Sequence, residues 1–131
     1  MVKNMDTIAL KEKLGANLSG LDREAQFATV LYFSYKTIQA NTRMSVRRLK
    51  ALLCVEYLIK EDLIEGAISA LVSRSMFNCV KRWRDPERPV NDMSISVTEP
   101  PPSEFEEWMA RTEAKYPELR MFVPPLFHHK D

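Results

Sequence analysis

Six residues between positions 73 and 82 carry side chains suited to a nucleic acid: Ser73, Arg74, Ser75, Asn78, Lys81 and Arg82. Arginine and lysine pair with phosphates, arginine also grips the two acceptors of guanine, and asparagine reads adenine through two hydrogen bonds. Serines at the start of a helix suit a phosphate, because free N–H groups and the helix dipole favour an anion there. The spacing around these residues predicts two short helices about a tight turn from Asp62 to Trp83, a helix-turn-helix, with Ser73 capping the second helix. Ala67 and Ala70 are small enough for the helices to cross, Val72 fits the turn, and Phe77 and Val80 anchor the second helix. Leu71 stands where such a turn commonly carries glycine, and Gly66 where an apolar residue is usual. The competing reading is an amphipathic helix pair packed into a helical core.

Catalytic and metal-binding patterns are poor by comparison. His128 and His129 are adjacent near the end of the chain, and neighbouring side chains on an extended segment point apart. No Ser/His/Asp set, paired acids in a recognisable frame, phosphate loop or zinc spacing occurs, so neither an enzyme nor a metal or cofactor is expected. Cys54 and Cys79 have 24 residues between them and no CxxC partner, and read as small buried hydrophobes in a reducing compartment. With no secretory pattern at Met1 to Lys13 and no apolar run near the ~20 residues that span a bilayer, the expected location is cytoplasmic, with no membrane partner.

The 131 residues suffice for one domain. Net charge is only +1, but it is unevenly spread. From Arg43 to Arg88 ten basic residues face six acidic ones, a balance of +4, while Glu99 to Arg120 holds three against six, a balance of −3. A phosphate-facing surface would produce that asymmetry, as would solvated helix faces of opposite sign.

The elements that must position the basic residues follow from periodicity. Residues 1–20 form an N-terminal arm of weak amphipathicity. Asp22 can cap a helix from Arg23 to Gln39, with Phe27, Val30, Leu31, Ser34 and Ile38 at helical spacing. Tyr32, Phe33 and Tyr35 widen its apolar surface enough to suggest an oligomer interface. After a loop at Asn41-Thr42-Arg43, Ser45 can cap a helix with the stripe Val46, Leu49, Leu52, Leu53 and Leu58, leaving Arg47, Arg48 and Lys50 outside. A break is expected near Ile59 to Glu61; one helix from Ser45 to about Ala70 is the alternative. Asp85 to Asp92 has the chemistry of a loop, and Met93 to Thr98 alternates as a strand with one polar face. Pro100-Pro101-Pro102 is a stiff spacer, and Ser103 with Glu106 predicts a capping box for a helix from Glu104 to about Tyr116 with Phe105, Trp108, Met109 and Thr112 inward. The tail from Pro117 to Phe127 is too apolar to lie free in water.

Arg82-Trp83-Arg84-Asp85-Pro86-Glu87-Arg88-Pro89, followed by Ser94-Ile95-Ser96-Val97-Thr98-Glu99, resembles the wing of MarR-family winged-helix regulators. Met44 to Leu53 looks like the helix before that family's helix-turn-helix, and the resemblance extends over about Arg23 to Tyr116. It implies a mainly α fold with a small β-hairpin, a winged helix-turn-helix dimeric through its terminal helices. The implied units are the arm at 1–20, a core at 21–98 and a C-terminal helix and tail at 99–131. It also implies base or phosphate contact by Ser73, Arg74, Ser75, Asn78, Lys81 and Arg82, and wing contact by Arg84 and Arg88. The expected function is sequence-specific binding of double-stranded DNA by a small homodimeric transcriptional regulator; the alternative is a helical protein-interaction adaptor. Whether a small-molecule effector binds is left open by the sequence.

Overall fold

The computed structural model describes residues 23–83, 87 and 93–126. The expected arm, Arg84, Arg88, His128 and His129 lie outside the described residues.

Helix α1 (Arg23–Asn41) is the axis of the molecule. Val30, Leu31, Tyr32, Phe33, Tyr35 and Ile38 are all buried, so this helix is apolar around most of its circumference and must be covered on several sides. The polar side chains among them are tied locally: the Thr29 and Thr37 hydroxyls donate to the carbonyls of Ala25 and Phe33 at 2.8 and 2.7 Å. Thr42, in the left-handed region at φ 66°, then turns the chain into strand β1 (Arg43–Ser45), and helix α2 (Val46–Tyr57) follows directly. Ser45 caps α2 as expected, its Oγ accepting from the Arg48 N–H at 3.2 Å.

The break after α2 falls where the sequence places it. Leu58 adopts φ 57° and its N–H returns to the Cys54 carbonyl, closing α2 before helix α3 (Glu61–Val72) begins. Leu58 itself is turned outward, 70% exposed, and does not continue the predicted stripe. Lys50 is likewise misplaced by the sequence reading: it is buried between α2 and α3, where its Nζ donates to Glu65 Oε2 at 2.7 Å. A buried ammonium needs such a partner, and the pair ties the two helices together.

The second helix expected from Ser73 to Trp83 is absent. Ser73 is instead the C-cap of α3, and residues 74–77 form a turn closed by the Met76 and Asn78 N–H groups on the Ser73 carbonyl. Serine and asparagine supply the physical reason. Ser73 Oγ accepts from the Ser75 N–H, and Asn78 takes φ 51°, so local hydrogen bonding and a left-handed residue replace helical turns. The chain then runs straight into strand β2 (Val80–Trp83), which pairs with β3 (Ser94–Val97).

The sheet has three antiparallel strands in the order β1-β3-β2. The strand predicted over Met93–Thr98 is β3; its partner β2 occupies residues expected in the second helix, and the three-residue β1, read as loop and cap, adds the third strand. Met44, Ile95 and Val80 point inward and are buried against the helical layer. Among the described residues, four helices and one small antiparallel sheet in the order α1-β1-α2-α3-β2-β3-α4 make a mainly α fold compatible with a winged helix.

Helix α4 (Ser103–Lys115) and a 3₁₀ turn (Pro117–Met121) close the opposite side of α1. The capping box does not form, for Pro102 is the N-cap and has no side chain able to accept. The aromatic surface of α1 is covered within the chain: Phe122 stacks on Phe33 at 3.9 Å between ring centroids, and Phe105 packs on Tyr35 at 4.5 Å. Leu119 and Phe122 of the tail are buried, Phe122 against α1 and α2, while Met121, Val123 and Leu126 stay exposed; Tyr32, Phe33 and Tyr35, the face read as an oligomer interface, are buried within the protomer.

Candidate nucleic-acid interface

The three strands place alternate residues on opposite faces of the sheet. In register, Arg43, Ser96 and Lys81 form one row across the outer face, and Ser45, Ser94 and Trp83 form the next. Trp83 ends β2 and is 38% exposed, an unusual place for tryptophan. Its indole lies across the neighbouring strand, the Nε1–H donating to Ser96 Oγ at 2.8 Å. The Arg43 guanidinium carbon stands 4.3 Å from the ring centroid and the Lys81 Nζ 3.9 Å from it. Cations at such distances are attracted to the ring quadrupole by about 0.5–1 kcal/mol each at exposed sites. The tryptophan thus gathers two flexible cations from the two edge strands into one patch and limits the rotamer freedom they lose on meeting an anion.

Of the predicted site residues that are described, Lys81 alone lies in this patch. Arg82 is exposed on β2 but stands in register with Ile95, on the other face of the strand. Ser73, Arg74, Ser75 and Asn78 gather in the turn before β2, at the C-terminal end of α3. That end presents carbonyls and negative partial charge, so the two serines cannot act as the helix-N-terminal phosphate site the sequence suggested. Arg43, Trp83, Ser94 and Ser96 are the members the sequence reading missed. Their signal was the polar-apolar-polar order of Arg43-Met44-Ser45, too short to stand out as a strand.

Helix α3, which follows the turn after α2, has the opposite character. Glu61, Asp62 and Glu65 are exposed on it and the helix contains no Lys or Arg. A phosphate approaching this surface meets like charge.

Elsewhere, a groove of about 390 Å³ runs between α1, α4 and the tail, with Lys36 and Arg120 on its walls. The Tyr32 hydroxyl there donates to Glu113 Oε2 at 2.8 Å, and burial, aided by that bond, pushes the phenol above its ordinary range. It stays protonated and ties α1 to α4. Among the described residues no cluster of three metal-ligating side chains occurs, and no helix is long and apolar enough to cross a membrane.

Comparison with known proteins returns no match, whether with family models, curated proteins or solved structures.

Proposed function

We propose that this chain binds nucleic acid through the outer face of its β-sheet, using the phosphate backbone as the main contact. The observation that carries the reading is the Arg43–Trp83–Lys81 cluster, two cations held beside one exposed indole with serine hydroxyls between them. The order of elements supports a winged helix-turn-helix, in which α2 and α3 are the helix pair and the β2–β3 connection is the wing. In this assignment the helix in the recognition position is α3, and its exposed Glu61 and Asp62, with no Lys or Arg on the helix and Glu65 neutralised by Lys50, disfavour insertion into a groove. The DNA contact expected of a small regulator therefore passes from a recognition helix to the sheet.

The test is retention of a labelled mixture of duplex and single-stranded DNA at low and moderate salt, with the wild type beside an Arg43→Ala, Lys81→Ala double variant. Retention is expected to fall steeply with salt in the wild type, and the double variant should lose about tenfold or more in affinity and show a shallower salt slope. Absence of salt-sensitive retention, or equal binding by the variant, contradicts the proposal.

A second reading, a protein-interaction module, has one specific observation in its favour. Val55 and Leu58 close α2 with 74% and 70% exposure, directly before the acidic start of α3. A partner with an apolar centre and basic rim would suit that surface.

A further inference from the structure

We infer that the strand held on the sheet face is single-stranded nucleic acid, gripped by stacking of an unpaired base on the Trp83–Arg43 pair; this rests on the nucleic-acid reading above. Two observations separate the sheet face from a duplex-reading surface. The inner residues Met44, Ile95 and Val80 are buried against the helical layer, so Arg43, Lys81 and Trp83 open away from α1 and α3. A duplex seated with α3 in its groove leaves the indole untouched. Helix α3 is also acidic on its exposed side, so it offers no second anchor that would favour a duplex.

The sheet face, in contrast, has what one strand requires. The bond from Trp83 Nε1 to Ser96 Oγ fixes the indole across β3, and the Arg43 guanidinium lies over its ring, so the indole holds that planar group in place and a base extends the stack on the guanidinium's solvent side. Lys81 stands by the same ring, so a phosphate next to the stacked base meets a cation without either partner moving far. Ser94, beside Trp83 in the register, offers a hydroxyl that donates or accepts and so tolerates any base. In a duplex the bases are already stacked on one another and offer the platform only phosphates. The predicted ligand is therefore a flexible, unpaired strand of DNA or RNA bound with little sequence preference.

The experiment uses the full chain and three labelled probes of equal length: oligo(dT), oligo(U) and a self-complementary DNA duplex. Anisotropy gives each affinity at one fixed salt concentration, and a Trp108→Phe background lets quenching of Trp83 report stacking. Either single strand is expected to bind about tenfold or more tighter than the duplex, with Trp83 emission quenched on saturation. Trp83→Leu should abolish the preference while leaving salt-sensitive binding through Arg43 and Lys81, and Trp83→Phe should restore it in part. Binding of the duplex as tightly as the single strands, or no quenching, overturns the inference and leaves the nucleic-acid reading standing. Failure of all three probes to bind overturns both.

Discussion

Ser34 lies wholly buried on α1 with a hydroxyl that makes no hydrogen bond, whereas Thr29 and Thr37 on the same helix each satisfy theirs one turn back. A buried orphan hydroxyl is a net cost, so Ser34→Ala is expected to raise stability by up to about 1 kcal/mol. A higher denaturant midpoint with an unchanged slope is the expected reading; a lower midpoint contradicts the orphan assignment. The same desolvation acts on Cys79, whose thiol burial pushes up to about 12, so it stays protonated and is a packing residue, as the lack of any cysteine motif suggested. Trp83 was not legible in this way. Its type predicts burial, and only its register opposite Ser94 reveals that it faces solvent.

Among the elements, α3 carries the clearest separation of stability from binding. Gly66 is exposed in the middle of this helix, and a Cβ placed on it would meet nothing within 4 Å. Gly66→Ala should therefore stabilise the protein by about 0.5–1 kcal/mol. Because the proposed contact lies on the sheet, the same variant should bind nucleic acid as the wild type does; a large loss of binding would place α3 in the contact after all. The elements set by one-dimensional signals were readable: the Ser45 cap, the break near Ile59, the alternation at Ile95 and Val97, and the stripe of Phe105 and Thr112. The segment from Ser73 to Trp83 was not, because Phe77 and Val80 satisfy helical spacing as well as they satisfy a turn and a strand. Pairing with β3 decided the matter, and that is a tertiary effect a single segment cannot announce. The site was lost with it, since its row of residues exists only once β1, β3 and β2 lie side by side.

At the scale of the whole molecule, the core is organised by aromatic rings from four parts of the chain around α1: Tyr57 from α2, Phe77 from the turn, Phe105 from α4 and Phe122 from the tail. Two tyrosines in this core set the alkaline limit of stability. Burial raises Tyr35 and Tyr57 from 10 to about 12 in the folded state. The unfolded chain ionises them first, so their contribution is complete below about pH 10 and is lost as the pH climbs toward 12. Buried Cys79, raised from 9 to about 12, adds to the same loss, so stability measured by urea should begin to fall near pH 9 and fall more steeply beyond pH 10, while Tyr57→Phe should reduce the later part of the fall. The central claim, that the outer sheet face is where nucleic acid binds, is tested most directly by mapping amide chemical shifts during titration with oligo(dT). The account predicts the largest shifts at Arg43, Lys81, Trp83, Ser94 and Ser96, together with the Trp83 indole N–H. Shifts centred on Glu61, Asp62 and Glu65, or on Val55 and Leu58, or none at all, would contradict it.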